Sequence, residues 1–177
     1  MPTRSLATAT TATVTLVSSP QDEELQVYFR FDRSGQWPPV PSEGLRVASL
    51  GDGSYRLLET PFFVRNVALD DIVSAQDDGS GVLWAGERVT WGGHQTLRVT
   101  PTGGTEPTTC GQVLAQCARL GLPGEELEEY NLVALDVPPG VALQPVKDLL
   151  VAGRAAGRWW YEEACVGPAW PQDLVES

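Results

Sequence analysis

The chain has one histidine and three cysteines in 177 residues. A zinc site needs about four such ligands in paired spacing, so no metal signature exists, and neither a metal nor another cofactor is expected. The cysteines, Cys110, Cys117 and Cys165, are few and odd in number, which argues for reduced thiols in a cytoplasm rather than a disulfide framework. Cys110 and Cys117 fall on a stretch of helical pattern, about 10.5 Å apart along its axis, which is beyond disulfide reach.

Long apolar runs are also missing. None approaches the ~18 residues of a membrane helix, so a membrane span is not expected. Within the opening "MPTRSLATATTATVTLVSSPQD", Thr and Ser interrupt every Ala or Val, and a secretory signal would lack its apolar centre. Residues 1–22 therefore read as a tail, or as a loosely attached edge strand at "TATVTLV", and the chain as cytoplasmic.

Positive charge is scarce: 12 Lys and Arg stand against 23 Asp and Glu, a net charge of −11. No basic cluster offsets it, so nucleic acid and anionic membrane are not expected partners. The acidity serves solubility or complements a basic partner. Catalytic signatures are absent as well. There is no Walker loop, no G-x-S-x-G elbow, no H-E-x-x-H and no phosphate-cradling G-x-G-x-x-G.

What is present is a pattern of short strands. "LQVYFRF" alternates Leu25, Val27, Phe29 and Phe31 against Gln26, Tyr28 and Arg30, a half-buried strand. "GLRVASLGDGSYRLLE" and "DDIVSAQDDGSGVLWAGERVTW" each read as hairpins about Gly-Asp turns, and "HQTLRVTP" as a further strand. Between the hairpins, Phe62 and Phe63 of "TPFFVRN" are expected to plug a small barrel. After the Gly/Pro/Thr stretch "TPTGGTEPTT", Thr109 and Gln112 form a capping box, followed by a helix that buries Cys110, Val113, Leu114, Cys117 and Leu120. "NLVALDVPPG" is a strand, "QPVKDLLVAGRAAG" a second helix, and "RWWYEEACV" the closing strand. The expectation is an α+β fold: a small antiparallel β-barrel-like lobe over residues 23–101, then a βαβαβ lobe over 102–168 with two helices on one face of a small sheet. Residues 169–177 are expected to form a C-terminal tail.

Strand parity sorts the candidate site residues. Trp159, Tyr161, Glu163 and Cys165 fall on one face of the closing strand, and Trp160, Glu162, Ala164 and Val166 on the other, so the two glutamates are not an acid/base pair. Each sheet face thus carries a Glu, and the one under the helices must be paired or lie beyond their cover. Leu97, Val99, Val133, Leu135 and Val137 are expected to pack on the helices. His94, Thr96, Arg98, Leu132, Ala134 and Asp136 look the other way. If the barrel covers that second face incompletely, His94, Arg98, Asp136 and Glu162 or Glu163 converge near the seam between the lobes, where pockets are common. There His94 is a candidate base and Arg98 a candidate anion anchor, against the readings of a turn residue and a structural ion pair. Cys165 has no evident activator and is not expected to act as a nucleophile. Of Trp159 and Trp160, which alternate, at least one should face an interaction surface, and with Arg98 they are the candidate binding residues.

The blocks "LGDGSYRLLETPFFVRNVALDDIVSA", "HQTLRV", "LVALDVPP" and "RWWYEEACVG" resemble those of an uncharacterised bacterial family, domain of unknown function 4265, over about residues 24–167. The resemblance implies a bacterial, cytoplasmic protein and carries no activity, cofactor or catalytic residue with it. Two functions stay open. The first is a non-enzymatic acidic module binding a protein partner, immunity-like, inhibitory or accessory. The second is a small enzyme or small-ligand-binding protein of a biosynthetic pathway, with its site at the seam.

Overall fold

The computed structural model describes residues 25–32 and 37–172. Residues 1–22, with "TATVTLV", lie outside the described residues, as do residues 173–177 of the expected C-terminal tail.

Five strands close into a barrel: β1 (Gln26–Arg30), β2 (Ser42–Ser49), β3 (Ser54–Leu57), β4 (Ile72–Asp77) and β5 (Leu83–Thr90). Successive strands are antiparallel, and the last meets the first in parallel through Val27↔Leu83 and Tyr28↔Trp84. Period-two alternation sends Val27, Leu45, Val47, Leu57, Val73 and Ala75 inward. Both expected hairpins form, with left-handed glycines at Gly51 and Gly53 in one turn and at Gly79 and Gly81 in the other.

The crossing "TPFFVRN" fills the barrel differently from the expectation. Val64 and Val67 enter the barrel cluster, while Phe63 turns away and packs edge-on against Trp37 and Tyr130, each 5.4 Å away between ring centres. The reason is local: the Glu43 carboxylate accepts hydrogen bonds from the backbone N–H groups of Phe62, Phe63 and Val64 at 2.6, 2.9 and 2.8 Å. That tie fixes the turn from which Phe63 leaves the barrel.

A second, four-stranded sheet is built from β6 (Gln95–Pro101), β7 (Gly124–Leu127), β8 (Leu132–Val137) and β9 (Trp159–Cys165), in the order β7-β8-β6-β9, all antiparallel. Helix α1 (Cys110–Ala118) links β6 to β7, and α2 (Leu143–Ala155) links β8 to β9. This βαββαβ pattern is the ferredoxin-like split βαβ arrangement. It corrects two expectations. β6, assigned to the first lobe by the boundary at residue 101, is an inner strand of the second sheet. A fourth strand, β7, is also present. Its "GEEL" has no apolar alternation, because it is an edge strand whose apolar partner is β8.

Thr109 and Gln112 form the capping box, with Gln112 N–H donating to Thr109 Oγ1 at 3.2 Å and Thr109 N–H to Gln112 Oε1 at 2.9 Å. Leu97, Val99, Val133, Leu135 and Val137 pack with Val113 and Cys117 of α1 and Val146 and Leu150 of α2. Trp170 is also buried in this cluster, so the chain stays packed past residue 169, where a tail was expected. No helix among the described residues is long and apolar enough to cross a membrane.

Candidate functional site

The opposite face of the second sheet packs on the barrel, and this seam holds most of the buried polar side chains. Thr96, Arg98 and Asp136 are all at most 4% exposed. Thr96 Oγ1 donates to the Val67 carbonyl, and Asn66 N–H to the Ala164 carbonyl, so the barrel's crossing segment is stitched to the sheet.

His94 enters this seam from the turn that joins β5 to β6. Gly92 is required there, since a Cβ on it would lie 2.4 Å from the Asp70 backbone. The turn thereby presses His94 between two carboxylates. Nδ1 lies 2.8 and 3.0 Å from the Asp136 oxygens, and Nε2 lies 3.5 Å from Asp70 Oδ2. Burial pushes the Asp136 carboxyl above its ordinary range, and the His94 hydrogen bond pulls it partly back. The consequence for stability follows from proton uptake. Between 3.8 and the raised value the folded state binds more protons than the unfolded one, so this group's contribution falls as pH rises through that window. Asp136→Asn, which keeps an oxygen for His94, is expected to remove that falling limb, as read from urea unfolding over a pH series.

Arg98 and Glu162 form a second, separate pair opposite each other in the β6–β9 register. Arg98 Nη1 donates to Glu162 Oε2 at 2.9 Å and Nη2 to the Val64 carbonyl, while Arg65 Nε reaches Glu162 Oε1 at 2.5 Å. The expected convergence of His94, Asp136, Arg98 and Glu162 thus resolves into two pairs on one face. The barrel covers that face over Arg98, which is 2% exposed, with Nη1 and Nη2 engaged and the buried Nε without a hydrogen-bond partner. Its two terminal nitrogens thus serve a structural ion pair, the alternative reading of Arg98, while the side chain also reaches the cleft beside Trp160. Glu163 lies on the helix face, where Lys147 Nζ of α2 meets it at 2.5 Å.

Parity misplaces Cys165. A register shift pairs Leu97 with Glu163 but Thr96 with Cys165, and this bulge turns the thiol to the barrel side. There Arg88 Nη1 is 3.3 Å from Sγ, a basic neighbour 77 residues away in sequence. Burial, helped by Asp71, still pushes the thiol pKa up against the pull of Arg88, so the thiol is not activated. Asp71, which sequence reading passed over, is fully buried. Its carboxylate accepts from the N–H groups of Ala68 at 2.9 Å and Gly92 at 2.7 Å, and Arg88 Nη1 stands 3.4 Å away.

The two tryptophans of β9 separate as parity requires. Trp159 is 2% exposed, with its indole N–H donating to the Leu150 carbonyl of α2, and it is corrected from a binding residue to a core residue. Trp160 is 67% exposed. It lies opposite Thr100 in the register, where the sheet extends past the barrel's cover. With Trp37, Thr100, Leu132 and Glu162 it lines a cleft of about 220 Å³. Trp37 is 47% exposed and backed by Phe63 and Tyr130, so the cleft has two aromatic walls and a floor that reaches Arg98. Among the described residues, no group of three or more His, Cys, Asp or Glu side chains is placed to hold a metal ion.

Comparison with known proteins adds fold and family. The structure is similar to that of a hypothetical protein from Neisseria gonorrhoeae, with a TM-score of 0.65 and 22% sequence identity over 80% of this chain and 93% of that one, which shows a shared fold. No curated protein matches the sequence. The model of the family described as "Domain of unknown function (DUF4265)" matches residues 43–161, the second and third barrel strands through most of the second sheet. The chain belongs to the DUF4265 family.

Proposed function

We propose that the protein is a non-enzymatic acidic binding module, inhibitory, immunity-like or accessory, that docks a basic protein partner by seating one partner side chain between Trp37 and Trp160. The observation that carries this reading is the exposure of Trp160 on a strand whose other long side chains are committed internally. Trp159 is in the core, Glu162 is paired to Arg98, Glu163 to Lys147, and Tyr161 lies beneath Arg154. An exposed Trp on a rigid element at the wall of a concave site has the character of an interface hot spot. At about 220 Å³ the cleft is below the ~300–1,000 Å³ of most small-molecule sites, which favours one side chain over a whole metabolite. A net charge of −11 steers a basic partner and repels an acidic one.

Trp160→Ala is expected to leave stability within ~0.5 kcal/mol, as for other exposed positions. It should weaken a partner identified from the native host by about thirtyfold in a calorimetric titration, which corresponds to a hot spot of ~2 kcal/mol. Unchanged affinity in both Trp160→Ala and Trp37→Ala would end this reading.

The alternative, a small enzyme or ligand-binding protein at the seam, is favoured by one observation. A hollow of about 230 Å³, as small as the cleft, lies between the units, and what marks it is its lining by Asp136, the partner of His94, beside Arg46 and Glu59. A metabolite that raises the melting temperature of the wild type but not of His94→Ala would favour this second reading over the first.

A further inference from the structure

The segment between β6 and α1, the outward side of α1 and the residue before β9 border an open hollow of about 350 Å³. It is lined by Glu106, Thr108, Gln112, Gln116, Arg119 and Arg158, among others, and shares no residue with the Trp37–Trp160 cleft. Its volume falls within the ~300–1,000 Å³ usual for small-molecule sites. Gln112, Gln116 and Arg119 recur at helical spacing along one side of α1; Gln112 Oε1 serves the capping box and Gln116 Oε1 accepts from Arg158, so Arg119 is the charge that this side of the helix adds to the hollow.

Arg158 is the fixed element. Its guanidinium carbon lies 4.4 Å from the centre of the Trp159 ring, and Nη1 donates to Gln116 Oε1 at 3.0 Å. These two contacts, one to a core residue and one to α1, hold the planar group in place before any ligand arrives. Its Nε is buried and has no hydrogen-bond partner. The Glu106 carboxylate stands 3.8 Å from that nitrogen, close enough to balance charge and too far for a hydrogen bond. Buried donors are nearly always paired, and here the preorganised guanidinium edge has only a 65% exposed carboxylate beyond hydrogen-bond reach beside its Nε.

We propose that this hollow binds a small oxyanion-bearing molecule, whose phosphoryl or carboxylate group displaces Glu106 and pairs with Arg158, with Arg119 supplying the second positive charge. Glu106 is then an internal competitor for the site. The chain's net charge of −11 opposes any generic attraction of anions, so binding would report local geometry and not overall charge.

The test is calorimetric titration of the full chain with pyrophosphate and, separately, with citrate, at low salt. Saturable binding of at least one probe is expected. Preference for pyrophosphate would identify a phosphoryl ligand, and preference for citrate a carboxylate one. Glu106→Gln should tighten binding several-fold by removing the competitor, whereas Arg158→Gln should abolish it. Arg119, exposed at the end of α1, can be changed without loss of fold, and Arg119→Gln should weaken binding about tenfold. If Arg158→Gln fails to fold, the other two variants decide. The proposal is overturned if neither probe binds Glu106→Gln saturably, or if Arg119→Gln binds as the wild type does.

Discussion

Gly153→Ala is expected to destabilise the protein by about 3 kcal/mol or more, although alanine is the better helix former by up to ~1 kcal/mol. The opposed signs make the result decisive. Gly153 lies within α2 with its Cα facing the indole of Trp159, and a Cβ there would fall 1.9 and 2.0 Å from two ring carbons. The ring cannot step aside, because its N–H is held by the Leu150 carbonyl and it is 2% exposed in the helix-packed core. Overpacking of ordinary severity costs ~1–3 kcal/mol, and an overlap this deep belongs at or above the upper end. For a chain of this length, 3 kcal/mol lowers the melting temperature by roughly 6–12 °C. Repeating the substitution in a Trp159→Leu background, which empties the contested space, should recover most of the loss. Additivity of the two changes within ~0.5 kcal/mol, measured by urea unfolding, would show that the notch and the indole do not depend on each other.

Asp71→Ala is expected to cost a further class of energy, about 2–4 kcal/mol, because it strands groups instead of crowding them. The fully buried Asp71 carboxylate joins three elements: the Ala68 N–H in the crossing segment, the Gly92 N–H in the turn before β6, and Arg88 on β5. Its removal leaves the buried Ala68 N–H and the half-buried Gly92 N–H without this acceptor, and takes the carboxylate away from Arg88, whose Nη1 keeps the Cys165 thiol at 3.3 Å. Asp71→Asn is isosteric but turns an N–H₂ toward one of these donors, so it should recover only part of the loss. If denaturation midpoints of both variants match the wild type, water has replaced the carboxylate and the network is dispensable.

Much of the architecture is legible because it is encoded locally. The alternation of Val27, the Gly-Asp turns at Gly51 and Gly79, and the Thr109–Gln112 box each depend on a few neighbouring residues. Parity on β6 and β8 also holds, since both strands are regular and their apolar side chains share the helix-packed face. What is not legible depends on distant partners. β7 is invisible because its own four residues carry two glutamates and β8 supplies the reason for pairing. The membership of β6 is hidden for a related reason, as alternation declares a strand but not the sheet it joins. Parity foretells that Trp159 and Trp160 part company, yet the choice of the buried one depends on which face α2 covers. A mid-helix glycine at Gly153 was the available clue. On the site side, the seam residues do share a face, but the four positions from His94 to Arg98 separate them into His94–Asp136 and Arg98–Glu162. The bulge that swings Cys165 toward Arg88 has no signature in "YEEAC" itself.

The barrel closes through two residue pairs between strands whose partners are 56 positions apart in the chain, Val27 with Leu83 and Tyr28 with Trp84. The other junctions of the barrel connect strands adjacent in sequence, three of them after a short turn or crossing. Loop-closure entropy makes such a distant, parallel junction the slowest contact to gain. The hairpins can form while the cylinder is still an open, curved ribbon, with Val27 and Leu83 at its two unpaired margins. In this order of events the β1–β5 junction is the last to close, and the side chain of Val27 becomes fully buried only when the two margins meet.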